Sequence, residues 1–230
     1  MPAGYPKLAT RLTDVRYGDL WGVGQHRFIC GDAEDGVEMH RLTDGEHIDL
    51  VYSDPPWNNG DAKSWRTQSK RDGAVGRNVV ATDVVPKILS VAQARGLLAY
   101  VESGLPTLDG FITMLRAMDA TIVGQWETWT TVNKKRKNAL IAADFGQHTV
   151  RLPDFTGMGD GVTPGYAMRA WGHTGTVLDP CSGLGFTSRN AAESGWRSLN
   201  HELNPNRMAR AMESLEDLTG QTAQLIERTA

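Results

Sequence analysis

From residue 48 onward the chain alternates short apolar runs with amphipathic stretches, and that alternation restricts the fold more than any other feature. "HIDLVYSD", "GLLAYVES", "GTVLDP" and "WRSLNHEL" are too short for stable helices and read as strands buried on both faces. Between and after them lie "DVVPKILSVAQAR", "TLDGFITMLRAMD", "GFTSRNAAES" and "NPNRMARAMESLEDLTG", which read as helices. Phe111, Met114, Leu115 and Met118 recur at helical spacing and mark a core-facing stripe. Gly96 is placed to end the first of these helices. Strands alternating with helices predict an α/β fold with a mostly parallel sheet.

Two hairpins complete the expected pattern. Leu20–Val23 and Arg27–Cys30 flank Gly24-Gln25, and "ATIVGQWETWTTV" and "ALIAADFG" flank "NKKRKN", giving a late antiparallel hairpin. "YAMRAWGH" reads as a short helix. The expected organisation is a flexible lead over 1–14, one domain over 15–220 and a tail over 221–230. Residues 58–80 lack periodicity and read as a mobile loop, a kind of long loop that is usually functional.

The chain has 230 residues and a formal net charge of −3, so a polyanionic partner would have to be met by local basic patches. Lys63, Arg66, Lys70 and Arg71 in the 58–80 loop and Lys134, Lys135 and Arg136 in "NKKRKN" are the candidates. Cys30 and Cys181 are far apart and match no metal-ligand spacing, so no metal is expected and a reduced compartment fits. No segment has the make-up of a signal peptide or a membrane span. These features predict a soluble cytoplasmic protein.

Two motifs carry chemistry. The strand "IDLVYS" runs into Asp54-Pro55-Pro56-Trp57, where an acid is followed by two residues of fixed backbone and a large aromatic. The strand "TVLD" runs into Asp179-Pro180-Cys181-Ser182-Gly183-Leu184-Gly185, then a helix, then a strand ending at Glu202. Glycines in such a turn let a ligand approach the backbone, and a strand-terminal acid can accept hydrogen bonds from ribose hydroxyls. The turn is D-P-x-x-G-x-G, not the dinucleotide G-x-G-x-x-G, which points to one nucleoside without a pyrophosphate.

Together, D-P-P-W and D-P-x-x-G-x-G resemble the S-adenosylmethionine (SAM)-dependent methyltransferases that act on exocyclic base nitrogens. The catalytic motif precedes the cofactor motif, an order similar to the circularly permuted β-class of DNA adenine-N6 and cytosine-N4 methyltransferases. "GDLWGVGQHRFICGDAED" is similar to G-D-[LV]-[WY]-x-L-G-x-H-R-L-x-C-G-D, found in bacterial and phage enzymes often fused behind a ParB-like domain. The resemblance spans residues 17 to about 215 and is specific at 18–32, 50–57 and 177–205.

The resemblance implies a Rossmann-like methyltransferase fold, SAM as cofactor and DNA as substrate, with a homodimer or a separate recognition protein as possible partners in a bacterial or phage-infected cell. It carries Asp179, Pro180, Cys181, Gly183 and Gly185 onto the methionine part of SAM, Glu202 onto its ribose, and Asp32 and Asn204 onto its adenine end. Asp32 is also a candidate helix N-cap, a role compatible with the cofactor one, and Asn204 reads as well as the N-cap of a strand-to-helix turn. Asp54 and the Pro55 carbonyl would accept the N–H bonds of the target amine, with Pro56 fixing the turn, and Trp57 would stack on the extruded base. Family members carrying Asp before P-P usually methylate adenine N6, so adenine is favoured over cytosine N4. Two departures stand out. Cys181 replaces the usual Phe, and only Thr163-Pro164 remains of the usual H-P-x-x-K-P element. An RNA adenosine-N6 methyltransferase and a non-catalytic SAM- or nucleic-acid-binding subunit are the alternatives.

Overall fold

The computed structural model describes residues 11–57, 81–130, 136–148 and 151–229. Within them, β1 (Leu20–Val23), β2 (His26–Cys30), β3 (Leu50–Ser53), β4 (Leu98–Gly104), β5 (Thr121–Trp129), β6 (Lys137–Asp144), β7 (Thr176–Asp179), β8 (Arg197–Glu202) and β9 (Ala223–Glu227) form one sheet. Its order is β5-β6-β4-β3-β7-β8-β2-β1-β9. The central strands β4, β3, β7, β8 and β2 run parallel. The β5–β6 hairpin closes one edge and β1 and β9 close the other, all antiparallel.

The strands sort their side chains with period two, as a pleated ribbon must. Val51, Ala99, Val101, Ile141 and Leu178 face one core cluster with Leu42 of α1 (Gly36–Thr43), Val85 and Ile88 of α2 (Ala81–Ile88), and Phe111 and Leu115 of α4 (Leu108–Ala117). Their neighbours Leu50, Tyr52, Leu98, Tyr100, Leu140 and Val177 face a second cluster with Met168 of α5 (Thr163–Ala170) and Ala191 of α6 (Phe186–Glu193). A third cluster packs Met208, Met212 and Leu215 of α7 (Pro205–Thr219) on Trp21 and Phe28. Burial on both faces explains the continuous apolar runs, each large side chain contributing about 1.5–3 kcal/mol.

Two local expectations need correction. The helix expected through "DVVPKILSVAQAR" is two: α2 and α3 (Ser90–Arg95), interrupted at Leu89 (φ −95°, ψ 1°). Pro86 lies inside α2, where it cannot donate and crowds the preceding turn. Gly96 ends α3 in the left-handed conformation, as expected. The segment after 220 is not only a tail, because β9 pairs with β1 along it. β9 is largely exposed, so its hydrophobic pattern is faint; Arg228, 2.8 Å from the buried carboxylate of Asp19, anchors it.

Candidate active site

The parallel strands β3, β7, β8 and β2 all end on the same side of the sheet, where ligands bind in open α/β folds. Asp54 follows β3, Asp179 ends β7, Glu202 ends β8, and Gly31-Asp32 follow β2. A cavity of about 530 Å³ opens there. Its wall includes Asp54, Pro55, Pro56 and Trp57 together with Asp32, Asp179, Pro180, Cys181, Gly183 and Glu202. Two motifs separated by more than a hundred residues thus share one chamber.

On the β3 side, the Trp57 indole N–H donates to Asp54 Oδ1 at 2.9 Å. The indole rests against the main core cluster and the backbone of Gly104, where an added Cβ would lie 3.1 Å from Trp57 Cε3. The Arg136 guanidinium lies over the ring, its Cζ 4.4 Å from the centroid. Asp54 can be reached from the cavity yet is ringed by protein. That enclosure pushes its carboxyl up to about 6, and Asp160 adds to the rise. The Trp57 hydrogen bond and the charges of Arg207 and Arg136 pull the other way.

Beside Asp54 runs a buried polar chain. Tyr52 Oη donates to Glu102 Oε1 at 2.5 Å and lies 2.6 Å from Thr163 Oγ1, which donates to the Asp160 carbonyl at 3.1 Å. Glu102 is 2% exposed, and burial next to Asp54 holds its carboxyl well above the usual range. Thr163 belongs to the surviving Thr163-Pro164 pair, so that remnant supports the cavity wall through Tyr52 and lines it at Pro164.

On the β7–β8 side the acids are held by backbone. Asp179 accepts from the Cys181 N–H at 3.0 Å and from the Thr187 hydroxyl, and burial pushes it up to about 7. Glu202 accepts from the N–H groups of Gly183 and Asn204, both at 2.8 Å. Burial raises its pKa; the Arg207 charge and those N–H bonds oppose the rise. Gly183 sits at φ +55°, and a Cβ there would meet nothing closer than 3.9 Å.

Some expected residues have other places. Gly185 (φ +81°) does not line the cavity; a Cβ there would strike Ala211 Cβ at 2.8 Å and Ser188 Oγ at 2.9 Å, so this glycine lets α6 and α7 approach. Asn204 is also outside the wall and caps α7 through the N–H groups of Asn206 and Arg207. Asp32 lines the cavity, but the α1 N-cap is Asp35, because the chain turns once more before the helix starts. Cys181 packs partly on the core, with its thiol pushed well up by burial, which makes it inert. Arg136, expected on phosphate, lies over Trp57 in the cavity wall. Lys63, Arg66, Lys70, Arg71, Lys134 and Lys135 lie outside the described residues.

The motifs did not reveal Tyr52, Glu102, Asp160, His201 or Arg207, all of which line the cavity. Glu102 had a signal, a lone acid inside "GLLAYVES". His201, fully buried and with its pKa lowered to about 4 by burial, had none beyond adjacency to Glu202. Among the described residues no group of His, Cys, Asp and Glu is placed to hold a metal ion. No helix among them is long and apolar enough to cross a membrane.

No protein-family model matches the chain, and no curated protein matches its sequence. Solved structures do. TTHA0409 of Thermus thermophilus, which carries the name of a DNA modification methylase and was solved with S-adenosyl-L-methionine, superposes with a TM-score of 0.63 at 17% identity. The match covers 89% of this chain and 99% of that one. The M1.HpyAVI–SAM complex gives a TM-score of 0.57 at 11% identity, covering 82% and 98%. PvuII DNA methyltransferase, cytosine-N4-specific, gives 0.58 at 12% identity, covering 85% and 89%. At such identities the shared feature is the fold: the Rossmann-like architecture of these methyltransferases, with the sheet and helices described above.

Proposed function

We propose that this chain is a SAM-dependent DNA methyltransferase that transfers a methyl group to an exocyclic base amine, adenine N6 in the first place. The observation that carries the reading is the single cavity shared by Asp54-Pro55-Pro56-Trp57 and the Asp179–Gly183 turn with Glu202. Fold neighbours named as a DNA modification methylase and a DNA methyltransferase, and two neighbours solved with SAM, support it.

The residues fit the cofactor. Glu202 is fixed by two backbone N–H groups, which leaves it further acceptor capacity for a ribose diol. The turn at Gly183 leaves open space where a side chain would stand. Ser182 Oγ and both His201 ring nitrogens are buried on the wall with no hydrogen-bond partner among the described residues, polar groups that a nucleoside could satisfy. Asp179, Pro180 and Cys181 would hold the methionine part and Asp32 the adenine end, whereas Gly185 and Asn204 would act by shaping the turn and the helix behind it.

SAM, when bound, supplies an electrophilic methyl group. The protein's task is to make a weak nucleophile attack it. A base amine is planar because its lone pair is delocalised into the ring. Asp54 and the Pro55 carbonyl accept its two N–H bonds and draw the nitrogen toward a tetrahedral form. The prolines hold that carbonyl in place before substrate arrives, so no reorganisation is needed at the moment of transfer. As the new bond forms, the amine becomes acidic, and Asp54 is the adjacent base that takes its proton. Trp57 offers the stacking face for the extruded base, which returns about 1–3 kcal/mol against the expense of unstacking it.

Incubation with labelled SAM and unmodified DNA, followed by digestion and nucleoside mass spectrometry, tests the reading. The expected product is N6-methyladenine, absent with Asp54→Ala. N4-methylcytosine would move the target base, a reading that the cytosine-specific neighbour favours. No methyl transfer to DNA would sink the proposal.

A further inference from the structure

Trp57 and Asp54, the two side chains that the proposed function assigns to the target base, are both already engaged. The indole N–H holds Asp54 Oδ1 at 2.9 Å, and the Arg136 guanidinium covers the ring at 4.4 Å from its centroid. A guanidinium is a flat, delocalised cation that stacks on an aromatic face much as a base does. A base stacked on that face would need the space that the guanidinium fills.

We infer that Arg136 is a placeholder for the target base: it closes the Trp57 face until a phosphate-bearing strand draws the guanidinium away. This rests on the function proposed above and deepens it by naming what the site selects, a nucleotide within a strand over a free nucleoside.

Three observations support the device. The backbone of Arg136 is fixed, its carbonyl accepting from Thr130 N–H at 3.1 Å as a rung beyond the last pair of the β5–β6 hairpin. Its side chain is exposed, so it can swing about that fixed point at small expense. Its charge also acts on Asp54, helping to hold that carboxyl ionised while the site is closed. Cation–π contact and base stacking are of similar strength, so exchanging one for the other is nearly neutral by itself. A free nucleoside brings only the stack. A strand brings flanking phosphates as well, and a bidentate guanidinium–phosphate contact then tips the exchange. The same residue therefore opposes nucleosides and favours nucleic acid.

The test uses 2-aminopurine, whose fluorescence is quenched when it stacks on an indole, with the full-length protein. With the free deoxyribonucleoside, wild type should quench weakly. Arg136→Ala should give saturable quenching, with affinity at least about tenfold higher, since the masked face is free. Adding Trp57→Ala to that variant should remove the quenching. With a single-stranded oligonucleotide carrying 2-aminopurine the order should reverse: Arg136→Ala binds about three- to tenfold more weakly than wild type. Arg136→Lys, which keeps the charge but loses the bidentate fork and the flat stacking face, should fall between wild type and Arg136→Ala on the oligonucleotide. Equal nucleoside quenching by wild type and Arg136→Ala, including none by either, overturns the inference, as does oligonucleotide binding by Arg136→Ala as tight as wild type. These are binding measurements. A chain that transfers no methyl group would sink the function and leave this result standing, and a chain that methylates DNA without an Arg136 effect would do the opposite.

Discussion

The two halves of the cavity are built from different materials. On the β7–β8 side the acids are held mainly by main chain: Glu202 by the N–H groups of Gly183 and Asn204, Asp179 by that of Cys181 with the buried Thr187 hydroxyl beside it. Asp179 and Glu202 are buried at 3% and 8% exposure, at the ends of central strands. On the β3 side the contacts join side chains: Trp57 to Asp54 within one motif, and, from distant segments, Arg136 to Trp57 and Tyr52 to Glu102 and Thr163. Backbone contacts cannot swing away, so the first half is preorganised. Side-chain contacts can exchange partners, so the second half suits the proposed substrate, a base that would have to enter from outside, lose its former neighbours and be released again.

The comparison breaks most sharply at the two acids that anchor each half. Asp54→Ala removes the proposed acceptor for the amine and should reduce methyl transfer by at least about 10²–10³-fold, with SAM affinity by calorimetry unchanged. Glu202→Ala should do the reverse. It strands two N–H groups and removes a charged acceptor, so SAM affinity should fall about 10- to 100-fold, and oligonucleotide binding should hold. If Asp54→Ala lost SAM and Glu202→Ala kept it, the two halves would have to exchange roles.

The two glycines of the cofactor turn sharpen the contrast inside the rigid half. Gly185→Ala combines a left-handed backbone with a Cβ only 2.8 Å from Ala211 Cβ, and should lower stability by roughly 2–4 kcal/mol in denaturant unfolding. Gly183→Ala meets open space, so only backbone strain remains, about 1 kcal/mol. Equal losses at both positions would show that the packing of α6 on α7 is not what demands Gly185.

What is legible in the sequence follows the same division. The rigid half can be read because its geometry is local: a strand, a glycine turn and a helix follow one another, and the next strand carries its acid. The strands β3, β7 and β8 and the place of Asp54, Asp179 and Glu202 at their ends are therefore visible in the sequence. The β3 half is legible only at D-P-P-W. Arg136 reads as one more cation in "NKKRKN", because nothing local says that its guanidinium lies over Trp57. Glu102, Asp160 and Arg207 come from three further segments and meet Asp54 only through the sheet order. Gly185 and Asn204 show the converse: a motif position can be required by packing or capping and never touch the cavity. β9 leaves little trace because an exposed edge strand needs little hydrophobic pattern, being fixed by ladder bonds and Arg228–Asp19.

The smallest expected effects are on pH dependence, and they bear on the β3 half alone. Asp54, with its carboxyl near 6, should be protonated below that value and ionised above it. The ionised form is the stronger acceptor and the competent base, so kcat should rise with pH through about 6 and then level. Two substitutions should move this limb in opposite directions. Trp57→Phe keeps an aromatic face but deletes the indole donor that favours the ionised carboxylate, so Asp54 becomes harder to ionise and the limb moves to higher pH. Asp160→Asn deletes a negative charge that disfavours ionisation, so the limb moves to lower pH. Each displacement should be roughly half to one pH unit, the size of a single hydrogen bond or nearby charge at a partly solvated site. SAM affinity should be indifferent to both substitutions, because the acids on the β7–β8 side are held by main-chain donors that neither substitution alters. Displacement of both limbs in the same direction would mean that the pH dependence belongs to another group, with Asp179, at about 7, the first to examine.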